Sequence, residues 1–265
     1  MLIFIYLYAT GVAYWETHYL KTAEESWMAN IPVMHGMLGF VISLLLVFRT
    51  NTAYDRWWEG RKQWGALVNN SRNLAMKINA MLDKNEADTK RFFKETIPLY
   101  AFTLKDHLQA ESTRLSLDAA DHPELENIDH DKHVPNQVAY LMIAKTQELY
   151  RGGKITGDQL IVLNGEISSF TDICGACERI KNTPIPYSYS AFIKKFIFAY
   201  VLTLPLGHVF TLGYWVAPII TFVFYVLASL ELIAEEIEDP FGKDPNDLPM
   251  EKIALNIKKH VGELL

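Results

Sequence analysis

The chain has 265 residues, of which 50% are hydrophobic and 21% charged, and its 25 Lys+Arg against 31 Asp+Glu give a net charge of −6. Mean hydropathy is only +0.04, yet no Asp, Glu, Lys or Arg occurs in residues 1–15, 27–48 or 196–230. Such segregation excludes an ordinary soluble enzyme, the charged middle excludes a pure membrane bundle, and the lack of a dominant basic patch excludes a nucleic-acid partner.

A helix needs about 20 apolar residues to cross the ~30 Å hydrocarbon layer. Residues 1–15 are short for that, but they lack the basic start and small-residue cleavage site of a signal peptide. They read as a span shortened at its N-terminus. Residues 27–48 form a second span. Arg49, Arg56, Arg61 and Lys62 follow it, Lys181, Lys194 and Lys195 precede the next apolar run, and only Lys21 lies in 16–26. Lys and Arg accumulate on the cytoplasmic side. This predicts a multi-pass membrane protein in which residues 49–195 and both termini are cytoplasmic.

The middle reads as helical. Tyr54–Leu82 repeats Trp57, Trp58, Trp64, Leu67, Leu74, Ile78 and Leu82 mostly at three- or four-residue steps, and Lys90–Gln109, Gln137–Tyr150 and Gln159–Lys181 behave alike. Residues 111–135, rich in Asp and His, read as a surface loop. The lone C-G-A-C, Cys174 to Cys177, lacks the second pair a zinc site needs and reads as two small buried hydrophobes.

Residues 196–230 would reach about 52 Å as one helix, too long for a single crossing. Pro205, Gly207, Gly213 and Pro218 interrupt them, so two spans are expected, at 194–211 and 214–234. After Pro240 comes an amphipathic helix. Its cap is expected at Asn246 or Asp247, Pro249 in its first turn, and Ile253, Ile257, Val261 and Leu264 in one stripe against the protein's own body. The fold class is all-α: four transmembrane helices and a helical cytoplasmic domain. The expected divisions are 1–48, 49–195, 196–234 and 235–265. No repeat or low-complexity tract is visible.

Phe40, Leu44 and Phe48 recur every four residues and share one helix face. They fit either packing against neighbours or lipid, or a hydrophobic constriction around an axis. Gly36 and Gly39 would allow close helix approach. Three further blocks stand out: F-R-T-N-T-A-Y-D-R-W-W-E-G-R-K-Q-W-G at 48–65, I-K-N-T-P-I-P-Y at 180–187, and A-E-E-I-E-D-P-F-G-K-D-P-N-D-L-P at 234–249.

Taken with L-G-F at 38–40 and C-E-R-I at 177–180, these blocks resemble the bestrophin family of pentameric ion channels, in its bacterial branch, over nearly the whole chain. The resemblance implies passive flow of monovalent ions through a homopentamer in a lipid bilayer. It implies a neck at Phe40, Leu44 and Phe48, and a second constriction at the cytoplasmic exit near Asp158, with Gln159 beside it. A carboxylate at that exit departs from the family, whose members commonly place a small or apolar residue there. The bland alternative is that Asp158 caps the following helix. Animal members carry a run of acids that helps bind Ca²⁺; here Lys243, Pro245 and Asn246 interrupt it, so no Ca²⁺ control is expected. The family's helix before the first span is also missing. No catalytic residue, resident metal or cofactor is expected.

A membrane enzyme built on His35, His208, Glu231 and Glu235 is the rival reading, because ionisable groups within spans attract functional suspicion. No H-x-x-x-H or E-x-x-H pair in the spans supports it. A non-conducting scaffold with a helical docking domain is the other alternative. Ion sign stays open, since Phe and Leu carry no charge.

Overall fold

The computed structural model describes residues 1–19, 31–83, 85–109 and 132–265, and the described residues are helices and turns with no strand. In chain order these are α1 (Leu2–Tyr19), α2 (Ile31–Met81), α3 (Ala87–Gln109), α4 (Val134–Arg151), α5 (Gly157–Asn182), α6 (Tyr187–Thr203), α7 (Pro205–Leu212), α8 (Val216–Glu238) and α9 (Met250–Leu264). Lys21, the first four residues of the 27–48 span and most of the 111–135 loop lie outside the described residues. The chain divides into two compact units.

The first unit comprises Met1–Asp55 and Pro184–Glu238. Its core joins Ile5 and Ala13 of α1, Ile42 and Leu46 of α2, Ile193, Ile197 and Val201 of α6, and Val216, Ile220 and Phe224 of α8. The apolar excess does not stop there. Ile3, Leu7 and Trp15 of α1, Met37 and Phe40 of α2, and Phe222 and Leu232 of α8 remain exposed on the single chain. Exposed apolar surface on this scale belongs against lipid or protein rather than water. Two helical stretches, Ile31–Met81 and Tyr187–Glu238, contain windows long and apolar enough to cross a membrane.

The break in the 196–230 run comes earlier than expected. Helix α6 ends at Thr203, not near 211, because Pro205 has no backbone N–H to continue it. Leu206 and Gly207 then leave helical geometry, Gly207 at φ 79°. A second break at Gly213, φ 56°, opens a single 3-10 turn before α8. Both glycines occupy left-handed backbone that side-chain-bearing residues rarely adopt.

The second unit comprises Arg56–Thr183 and Asp239–Leu265. Its core gathers Trp64, Leu67, Leu74 and Ile78 of α2, Phe93, Ile97 and Leu104 of α3, Val138 and Met142 of α4, Leu163, Ile167 and Phe170 of α5, and Ile257 and Val261 of α9. Cys174 and Cys177 are buried free thiols within it. Helix α9 packs along α3, pinned by Lys94 Nζ donating to Gly262 O at 3.1 Å and Lys105 Nζ to Glu251 Oε2 at 2.6 Å. No side chain caps α9, whose N-cap is Pro249. Asp247 is used elsewhere: its Oδ2 accepts the Asp244 N–H at 2.5 Å and closes the preceding turn.

Candidate pore face and its flanking clasp

Helix α2 runs unbroken through the apolar stretch into W-W-E-G because nothing between 31 and 81 removes a backbone donor after Pro32. Ile42, Leu46, Arg49 and Ala53 form its buried stripe, at steps of three or four. Phe40, Leu44 and Phe48 fall off that stripe. They are 71%, 45% and 56% exposed and share the free face with Met37 and Val41. The four-residue spacing therefore places them together, away from the chain's own core. Gly39 does permit close approach, since a Cβ there would lie 2.8 Å from Tyr200 Oη. At Gly36 nothing among the described residues of this chain stands within 4 Å of its Cβ position.

Arg49 ends the apolar part of α2 and is only 1% exposed. Its Nη2 lies 2.7 Å from Glu238 Oε2, and its Nε 3.6 Å from Glu231 Oε1. Glu238 Oε1 accepts the Ile185 N–H at 2.7 Å. One buried guanidinium thus joins α2, α8 and the T-P-I-P-Y turn, where Pro184 and Pro186 hold the chain extended. Lys194 and Glu235 form a separate, half-exposed pair at 2.8 Å. Glu235 and Glu238 of the E-E-I-E block are therefore ion-pair partners within the first unit.

The remaining blocks interlock within the second unit. Arg56 donates to the Thr183 carbonyl and, at 2.6 Å, to the Ile180 carbonyl, covering the C-terminal end of α5 where the helix dipole favours a cation. Trp57 Nε1 donates to Asn246 O at 3.0 Å. A Cβ on Gly60 would come within 3.2 Å of Pro240 and of the Phe241 ring. The glycine of W-W-E-G is what lets D-P-F-G close on α2.

The four residues of the enzyme reading have different partners. His35 stacks on His208 with ring centroids 5.6 Å apart, and its Nε2 is 3.3 Å from Thr203 Oγ1. Glu231 faces Arg49 and Glu235 faces Lys194.

At the start of α5 the cap is Thr156, not Asp158. Gln159 N–H donates to Thr156 Oγ1 at 3.3 Å, and Gln159 Oε1 accepts the Thr156 N–H at 2.8 Å. This reciprocal capping box occupies Gln159. Asp158 is left exposed in the first turn, with the exposed Ile161 and Val162 one turn further on. That apolar pair carries no signal of its own in the sequence, because helical periodicity alone marks Ile and Val as core.

An all-helical chain whose first unit leaves this much apolar surface exposed, with two stretches long and apolar enough to span a bilayer, has the character of a membrane protein. The chain belongs to the bestrophin family: the family model described as bacterial/fungal bestrophin protein matches residues 1–263. A voltage-dependent anion channel-forming protein of Nostoc sp. is 36% identical over 89% of this chain and 80% of its own length. A protein of the same description from Escherichia coli, YneE, is 31% identical over 82% of this chain and 71% of its own. A crystal structure of a bacterial bestrophin homologue from Klebsiella pneumoniae matches with a TM-score of 0.86 at 23% identity, covering 99% of this chain and 97% of that one. The family points to a channel and not to an enzyme.

Proposed function

We propose that the protein is an anion channel: a homopentamer in the bacterial inner membrane that conducts passively along its axis. The observation that carries the reading is the free apolar face of α2, with Phe40, Leu44 and Phe48 in line and Arg49 buried on the opposite side. Five such faces around an axis make stacked hydrophobic rings, which gate by excluding water until they widen. Each chain crosses four times, by α1, the start of α2, α6 with α7, and α8, and residues 49–195 and both termini are cytoplasmic. The named relatives favour anions. So does the weakly positive edge of an aromatic ring. Asp158 stands at the cytoplasmic exit and opposes that preference, with Ile161 and Val162 supplying the apolar wall.

The test is reconstitution. Purified protein in liposomes with an asymmetric chloride gradient should give flux and a reversal potential on the chloride side, and its mass in detergent should be five-fold. A monomer without flux sinks the reading. Flux reversing on the cation side keeps the channel and rejects its selectivity.

A further inference from the structure

We propose that His107, His133 and Glu178 form a binding site for a zinc-type divalent metal ion, with a fourth position open to water. The three residues come from three elements of the second unit: the last turn of α3, the N-cap position of α4, and α5. Both imidazoles point Nε2 at one carboxylate oxygen. Glu178 Oε1 is 2.7 Å from His107 and 2.6 Å from His133, and the rings are 4.4 Å apart. All candidate ligand atoms lie within 4.8 Å of one another.

The donor set selects the ion. Two imidazoles and a carboxylate suit Zn²⁺ and its neighbours, whereas Ca²⁺ and Mg²⁺ want oxygen alone. Tetrahedral bonds of about 2.0–2.1 Å put donors roughly 3.3 Å apart, so the two His–Glu separations, 2.7 and 2.6 Å, need to open by roughly 0.6–0.7 Å, while the two imidazole nitrogens start no more than 4.8 Å apart. Each is about two-thirds buried, leaving a route for the ion while removing most competing water. Burial works to raise the Glu178 carboxyl, but hydrogen bonds from His133 and His107 outweigh it and hold it below its ordinary range. Lys181 Nζ donates to Leu108 O at 2.6 Å and fixes the end of α3 beside His107. Cys174, one turn before Glu178, is not among the atoms that converge here.

One bond is exchanged. His133 Nδ1 accepts the Asn136 N–H at 3.2 Å, which caps α4. A neutral imidazole that binds metal through Nε2 carries its proton on Nδ1, so this capping bond is given up on loading. Metal binding is thus coupled to the first turn of α4.

The test uses tag-free, chelator-stripped full-length protein. Calorimetric titration with ZnCl₂ should show one saturable ion per chain, a higher melting temperature, and no competition from millimolar Mg²⁺ or Ca²⁺. Glu178→Gln and His107→Gln should weaken binding by at least about 100-fold, given that losing even a supporting group costs 10–100-fold. His133→Asn separates ligation from folding: Asn still caps the helix but cannot reach the metal, so zinc affinity should fall while the metal-free melting temperature holds. Co²⁺ should give the intense visible bands of a four-coordinate site in the parent and lose them in all three variants. Absence of saturable binding, or zinc affinity unchanged in the folded variants, overturns the site.

Discussion

Arg49→Met removes the buried cation that, through Glu231 and Glu238, holds α2 to α8 and to the 184–186 turn. Methionine fills most of the volume, so the loss is electrostatic. Two carboxylates remain behind: Glu231, whose side chain is 4% exposed, and Glu238, at 13%. Deleting one partner of a buried ion pair costs about 3–5 kcal/mol, because the orphaned charge keeps its desolvation penalty. At roughly 2–4 °C per kcal/mol for chains of this size, the melting temperature should fall by about 10 °C. Replacing the whole cluster, Arg49→Met with Glu231→Gln and Glu238→Gln, should recover more than half of that, since a neutral substitute for a buried pair is close to neutral overall. The assay is fluorescence-detected size exclusion after heating in detergent. A double-mutant cycle on Arg49 and Glu238 should give a coupling of about 0.5–3 kcal/mol. A correctly assembled Arg49→Met protein that melts within about 2 °C of the parent would refute the clasp.

Replacing Phe40, Leu44 and Phe48 together by Ala should raise single-channel conductance. Melting should change little, because exposed positions usually cost within about 0.5 kcal/mol each; unchanged conductance in the assembled triple variant would put these side chains against other helices. Asp158→Asn should shift the reversal potential toward anions and Asp158→Arg further, most clearly at low salt, since the Debye length is about 10 Å at 0.1 M. Thr156→Ala should instead cost about 1 kcal/mol of stability with selectivity intact, and a selectivity change there without one at Asp158 would reject the exit assignment. Burial, with the neighbouring Glu178 charge adding to it, pushes the Cys174 thiol up to about 12, and burial raises Cys177 as well. A raised value favours the neutral thiol at every pH below it, so neither residue should alkylate with iodoacetamide at pH 8 until the protein is unfolded. Rapid native labelling would show the core to be open there.

Local chemistry made much of this protein legible before any coordinates. Charge-free runs mark apolar helices because burying ions in hydrocarbon is costly, and that holds wherever the run sits in three dimensions. Three- and four-residue apolar steps located α3, α4, α5 and the C-terminal end of α2 to within a few residues, since amphipathic periodicity is a property of the helix itself. The same periodicity put Phe40, Leu44 and Phe48 on one face. It could not say whether that face was buried, and only the packing of Ile42, Leu46 and Arg49 inward left it free. Competition among several groups for one partner was likewise invisible. Thr156 took the cap that Asp158 was a candidate for, Asp247 spent its carboxylate on the Asp244 amide, and Pro205 ended α6 earlier than the apolar pattern implied. Contacts distant in sequence were least readable of all. Arg49 with Glu238, Trp57 with Asn246, and above all Glu178 with His133 and His107, 45 and 71 residues away, carry no spacing signal. A sequence determines which faces and charges exist; which of them meet depends on how helices fold back on one another, and that is decided by packing.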